Sequence, residues 1–298
     1  MSISINPFIV SGKIPEAYFC DRIEESTDLQ KSLTNQLNVV LTSSRRMGKT
    51  SLVDFVFDKP VIKDDYITIS VDILQTTTFR EFIFTLGTAV FETVATRSDK
   101  WRKMFITFLK SLSGSFGYDP VQNIPTFDIR LGDIQQPEYT LREIFQYLES
   151  VEKRCLVVID EFQQIIRYPE KNVEQILRTQ IQKLSNANFV FSGSRRRLME
   201  EMFFSSKRPF YQSAKPLRLE PIDEDVYFDF ASTHFQKAGK TLSKEAFTYV
   251  YDTFWGVTLY VQRMMKDAYI ETPEGEACDN ENGDISRSEE RFSRNAET

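Results

Sequence analysis

Short runs of apolar residues alternate along the chain with longer stretches whose apolar positions recur every three or four residues. The first pattern predicts strands and the second helices. Strands are expected at Asn38–Thr42, Tyr66–Val71, Cys155–Ile159, Asn188–Ser192 and Pro216–Leu219. The run CLVVI at Cys155–Ile159 is apolar throughout, as a strand covered on both faces must be. Helices are expected at Lys49–Phe57, Thr78–Thr96, Thr140–Lys153, Asn172–Leu184 and Arg195–Phe204. Phenylalanines between Phe79 and Phe91 fall on one helical face, which is packing rather than chemistry. Strand and helix in alternation point to an α/β fold with a parallel sheet.

Two regions break the alternation. Ser98–Leu112 reads as an extra helix, and Ser113–Pro137 as a loop with one small strand around FDIRL, together an insertion at about 98–137. After Pro221 the strands stop, and Asp223–Lys237, Ser243–Thr253 and Thr258–Ile270 read as three helices. The expected organisation is a lead-in segment at 1–30, a core at 31–221, a small all-helical subdomain at 222–270 and a tail at 271–298. That tail is polar and acidic with few large apolar residues, the composition of a disordered segment.

Charge sharpens this division. The net charge of −6 is carried by the tail, where nine acidic side chains meet three arginines. The first 270 residues are neutral, without the basic excess of a dedicated nucleic-acid binder. Nucleic acid stays open as a partner through a local basic face. The hydrophobic content of 41% includes 25 Phe, enough for a sizeable core. No apolar run approaches the roughly 18 residues that span a bilayer, so no membrane partner is expected. The N-terminus lacks the basic-then-apolar pattern of a secretory signal. Cys20, Cys155 and Cys278 are too dispersed for a CxxC metal site or a disulfide framework, and the expected location is cytoplasmic.

The segment NVVLTSSRRMGKTSLVDFVF runs from apolar strand through a short loop into a helix. The phosphate-loop pattern G-x-x-x-x-G-K-[ST] has this context. Gly48, Lys49 and Thr50 fill its last three fixed positions, and Ser43 stands where the first glycine belongs, at some conformational cost. A glycine lets the backbone approach phosphate without a Cβ in the way. Loop amides and the helix N-terminus supply N–H donors and partial positive charge. Lys49 adds a mobile cation, and the Thr50 hydroxyl is a magnesium ligand. The residues expected around the phosphates are Ser43, Ser44, Arg45, Arg46, Met47, Gly48, Lys49, Thr50 and Ser51. A lone GKT also occurs by chance at a helix start, so a second motif is needed.

That motif is CLVVIDEF, a buried strand ending in Asp160 and Glu161. An acidic pair by itself is an ordinary solvated strand end. Following the loop in the right order, Asp160 is expected to hold magnesium and Glu161 to orient and deprotonate the attacking water. Together the motifs predict a nucleotide site using ATP and Mg2+.

The chain resembles the archaeal-type AAA+ and STAND-related P-loop ATPases, including bacterial members, over about residues 5 to 265. NPFIVSGKIPEAYFCDRIEE is similar to the family's N-P-F…F-x-G-R-E signature, with Arg22 and Glu25 fitting and Asp21 in place of the usual Gly. SSRRMGKTSL, LVVIDEFQQI and FVFSGSRRRLMEEMF resemble its phosphate loop, acidic motif and fourth strand. The resemblance implies strand order 5-1-4-3-2, a helical lid that nucleotide clamps to the core, and a preference for ATP. It places sensor 1 at Ser192, with Ser194 second and Arg195 a further sensor candidate. Ser213 stands where many relatives carry an Arg, and Thr258 replaces Pro in the lid motif G-x-P-x-Y. An arginine finger is therefore unassigned among Arg195, Arg196, Arg197 and Arg208, whose plain reading is a solvated basic face. The family often continues into a winged-helix domain, so a truncated or diverged member is expected. Trp255 and Tyr260 can approach adenine from the lid, with core packing the plainer reading; His234 and Cys155 read as packed residues.

Three functions follow: an ATPase that turns over, a slow nucleotide switch with negligible turnover of its own, and a scaffold with a decayed site. A homo-oligomer or a protein partner fits the first two.

Overall fold

The computed structural model describes residues 6–95, 97–109, 116–119, 124–127 and 131–279. Its helices and strands run α1 (Ile23–Thr34), β1 (Val39–Thr42), α2 (Lys49–Asp58), α3 (Pro60–Lys63), β2 (Tyr66–Asp72), α4 (Phe79–Ala95) and α5 (Asp99–Phe108). They continue β3 (Phe116–Asp119), β4 (Ile124–Phe127), α6 (Pro137–Ser150), β5 (Arg154–Asp160), α7 (Val173–Ile181), β6 (Ala187–Gly193) and α8 (Arg196–Phe204). The last are β7 (Lys215–Arg218), α9 (Glu224–Lys237), β8 (Thr241–Leu242), α10 (Lys244–Thr253), α11 (Thr258–Glu271) and β9 (Ala277–Cys278). These pack as two compact units. One comprises Thr27–Ser43 and Val56–Arg218; the other gathers the chain up to Ser26, Ser44–Phe55 and the chain from Leu219.

The first unit is built on a sheet ordered β2-β5-β6-β1-β7, every pair parallel. Counting only these five strands gives the expected order 5-1-4-3-2. Burial follows position in the sheet. Every residue of β1 and β6 is buried, and β5 has five consecutive buried residues, whereas edge strand β2 alternates. Central strands of a parallel sheet are covered on both faces, which is why their sequences read as unbroken apolar runs. Helix α4 lays Phe79, Phe82, Ile83, Leu86, Val90 and Val94 into this core at spacings of three and four.

The register fixes what meets at the carboxyl edge. Asp72 pairs with Asp160, Leu41 with Ser192, and Thr42 with Gly193. Strands β1, β5 and β6 therefore end along the same edge, with Asp160 closing β5 and Ser192 near the end of β6, the edge where ligands bind in open α/β sheets. In the insertion, β3 and β4 form an antiparallel pair where a loop with one small strand was expected. Of FDIRL, Phe127 closes β4, and residues 128–130 lie outside the described set, as do residues 110–112 of the expected extra helix.

The second unit has its own core, including Phe8, Tyr227, Phe235, Phe247, Val261 and Met264. Asp223 caps α9 by accepting from Asp225 and Val226 N–H, and Ser243 caps α10 by accepting from Ala246 N–H. It is not all helical, because β8 pairs in parallel with β9. The same pairing corrects the expected tail boundary at Glu271. The described chain stays folded to Asp279, with Cys278 fully buried. The Cys278 anchor and backbone bonds of Gly275, Glu276 and Cys278 to Gly239, Thr241 and Ser243 order a short segment whose composition alone is that of a polar tail. Among the described residues no helix is long and apolar enough to cross a membrane.

Candidate functional site

The loop after β1 is a backbone device. Ser43 is buried and Ser44, Arg45 and Arg46 are exposed, while Met47 and Lys49 are buried again. Arg46 has φ +67° and Gly48 +87°. Glycine adopts such values freely, whereas a residue with a Cβ is strained there. Ser43 is not among the positive-φ residues. The expected cost of serine at that position is therefore absent: it follows β1 in ordinary backbone, and of the two glycine positions only the second lies in the left-handed region. The Leu52 N–H donates to the Gly48 carbonyl at 2.9 Å, so α2 is already closed at its first turn. Lys49 and Thr50 are the first two residues of that helix, and Ser51 the third.

Within the same unit the loop touches the start of α11. Leu259 N–H donates to the Arg46 carbonyl at 3.1 Å, satisfying an amide that a helix N-terminus otherwise leaves bare. The Arg46 guanidinium lies over the Tyr260 ring, 4.9 Å from its centroid. Tyr260 is thus engaged by the loop after β1. Trp255 is 84% exposed at φ +55°, which corrects the expectation of core packing: the turn into Gly256 throws its side chain outward. Thr258 occupies the first helical position, where proline is also accepted, so threonine there leaves the helix start intact. Asp21 and Arg22 both have positive φ, at +53° and +63°. Glycine adopts such values freely, whereas aspartate and arginine are strained there. Arg22 is buried and pairs with Glu25 at 2.8 Å.

The acidic strand end is a side-chain device in the sheet unit. Asp160 Oδ1 accepts from Ser192 Oγ at 2.7 Å and from Glu161 N–H at 3.0 Å. Glu161 turns the chain in the left-handed region, φ 55° and ψ 37°, into a 3-10 turn over Phe162–Arg167. Phe162 is fully buried against Phe191, Phe203 and Phe210, with centroids 4.6, 5.9 and 5.3 Å away. That anchor holds the turn down beside the acids. Glu161 Oε2 accepts from Ser194 Oγ at 2.8 Å and from Gln163 Nε2. The two serines thus attach to different acids, Ser192 to Asp160 and Ser194 to Glu161. Gln163 lies within the run LVVIDEFQQI, but nothing in a polar residue two positions past an acid says that it folds back.

Asp72 lies opposite Asp160. Burial raises its carboxyl above the usual aspartate range, and the charges of Asp160 and Glu161 push the same way, against the Leu74 N–H bond that lowers it. The negative charge of these acids favours a cation nearby. Their hard oxygens suit magnesium, which takes one or two carboxylates and completes its shell with water and phosphate. Among the described residues no group of three or more His, Cys, Asp or Glu forms a metal cage.

The arginines divide. Arg196 pairs with Glu200 at 3.1 Å, and Arg208 with Glu174 at 2.6 Å and Glu201 at 3.6 Å. Burial raises the Glu174 carboxyl, with the Arg208 charge opposing. Arg195 and Arg197 are exposed at the start of α8. His234 is nearly buried against Phe230, 4.6 Å away, and burial lowers its pKa. The Cys155 thiol is pushed up to about 12 by burial, so it is inert.

No family model and no curated protein matches the chain. Solved structures do, at the level of fold. A Walker-type ATPase of Pyrococcus abyssi aligns with a TM-score of 0.67 at 19% identity, covering 97% of this chain and 76% of that one. The Aeropyrum pernix ORC1 protein, solved in complex with DNA, gives 0.60 at 11%, covering 97% and 70%. The Aeropyrum pernix ORC2 protein, solved in ADPNP and ADP complexes, gives 0.59 at 13%, covering 89% and 66%. The fold is a parallel α/β sheet of order 5-1-4-3-2, resembling that of the Walker-type ATPase and of the ORC proteins.

Proposed function

We propose that the chain binds ATP with magnesium and hydrolyses it to ADP and phosphate. The observation that carries this reading is the carboxyl edge of the sheet: the GKT-bearing loop leaves β1, and the acidic pair ends β5, on either side of β6. Lys49 and the loop amides bind the phosphates, and Thr50 and Asp160 are the residues that would hold magnesium. When bound, that ion neutralises charge developing on the phosphates. Glu161 accepts a proton from water as the water oxygen bonds to the γ-phosphorus. The bridging oxygen departs with the P–O electron pair as ADP. Ser192 keeps the Asp160 carboxylate in one orientation. The chain works as an AAA+ or STAND-like module on a protein partner or a further copy of itself.

A second reading is favoured by one observation. The Arg46 link to Leu259 and Tyr260 ties the phosphate loop to a lid helix, so nucleotide at the loop is felt there even without turnover. Phosphate release with magnesium-ATP, alongside ATP binding, separates the readings for the intact chain and Lys49→Ala. Turnover in the intact chain, lowered at least a hundredfold in the variant, is expected. Binding without release assigns the slow switch, and absence of saturable binding contradicts both.

A further inference from the structure

The geometry points to Gln163 as a positioning residue for Glu161, acting together with Ser194 to hold the carboxylate that takes the proton from water. The inference rests on the proposed hydrolysis and assigns a role to Gln163, which lies in the run LVVIDEFQQI but outside the acidic pair itself.

Both donors fall on the same oxygen. Gln163 Nε2 comes from the 3-10 turn after β5, and Ser194 Oγ from the bend after β6, and each donates to Glu161 Oε2. The carboxylate is gripped from two separate strand ends, leaving Oε1 to receive the proton. Glu161 needs such a grip, because its backbone sits in the left-handed region, which an L side chain enters only when its surroundings hold it there.

The position of Gln163 is set by packing. Its side chain is only 4% exposed, and Phe162 pins the turn that carries it. Gly193 makes room: a Cβ there would lie 2.4 Å from Gln163 Oε1. That oxygen has no hydrogen-bond partner, so the buried amide is half satisfied. A half-satisfied buried amide is a poor stability device. Replacing the amide by an apolar side chain removes that orphaned buried oxygen, while Glu161 Oε2 keeps Ser194 Oγ as a donor and so is not left bare. Stability therefore does not account for an amide here, and its single bond to Glu161 does.

The two roles predict opposite signatures. Gln163→Leu keeps or raises the melting temperature, keeps ATP affinity and KM, and lowers kcat about tenfold to a hundredfold, the cost of a mispositioned catalytic group. Ser194→Ala shifts kcat in the same direction and by less, and it decides the matter if Gln163→Leu folds poorly. In a Glu161→Gln background the Gln163→Leu change leaves the residual rate where it was, because the group it positions is gone.

The test is steady-state ATP hydrolysis by the intact chain, the two single variants, Glu161→Gln and its Gln163→Leu double variant, with melting curves for each. A fall in kcat with KM and melting temperature held, absent from the Glu161→Gln background, supports the inference. An unchanged or raised kcat in Gln163→Leu, or an equal fall in that background, overturns it while leaving the proposed function standing. Failure of the intact chain to hydrolyse, or hydrolysis by Glu161→Gln at the intact rate, overturns the proposed function and this inference with it.

Discussion

The phosphate loop and the acidic strand end are two halves of one expected chemistry, built by different means. The loop works through its backbone: Gly48 in the left-handed region, exposed residues at Ser44, Arg45 and Arg46, and a helix that begins at Lys49. The acidic end works through side chains braced across strands, Ser192 on Asp160, and Ser194 with Gln163 on Glu161. A backbone device is specified by neighbours in sequence, and one local conformation suffices. A braced side chain is specified by tertiary structure, since the brace arrives from another strand. The first should fail through backbone strain and the second through loss of a partner, with little effect on each other.

Gly48→Ala tests the loop half. At φ +87° a Cβ is strained although nothing stands within 4 Å of it, so the effect is conformational rather than a clash. A penalty of about 1–2 kcal/mol predicts ATP binding roughly tenfold weaker by calorimetry. Binding unchanged would mean that the loop reshapes freely and is no rigid cradle.

Asp72→Asn tests the acidic half and has the smaller effect. The folded-state pKa of Asp72 is raised, so folding favours its protonated form. That contribution is complete below the ordinary aspartate range and lost as pH rises through the folded-state value. At neutral pH the ionised side chain is a small liability. Without divalent cation, Asp72→Asn is expected to raise the melting temperature slightly at pH 7, with the difference shrinking towards pH 4. Melting curves across that range check it, and a variant that melts lower at pH 7 would mean that Asp72 is not crowded by the other acids.

The same contrast sets what could be read in the sequence. Strands β1, β5 and β6 were legible within a residue or two because burial on both faces leaves an unbroken apolar run. Helices α9, α10 and α11 were legible from spacing, and the structure adds the caps Asp223 and Ser243. The positions of Lys49, Thr50, Asp160 and Glu161 could be picked out because a strand precedes each motif. Gln163 could not, since its contact depends on Glu161 turning left-handed, and no local pattern in DEFQQ announces that. Nor could the β8–β9 pairing, where two-residue strands are too short for a period and their partners lie 36 positions apart. Ser192 and Ser194 were singled out as phosphate sensors, yet each hydroxyl is turned onto an acid.

The central claim is that the loop binds nucleotide and Glu161 performs hydrolysis, so that the two can be separated. The most direct measurement is bound ATP and released phosphate, per chain, for Glu161→Gln beside the intact protein. The account predicts that the variant binds magnesium-ATP with the intact affinity and releases phosphate at least a hundredfold more slowly, within the range for loss of a general base. Hydrolysis at the intact rate, or ATP binding lost together with turnover, would contradict it.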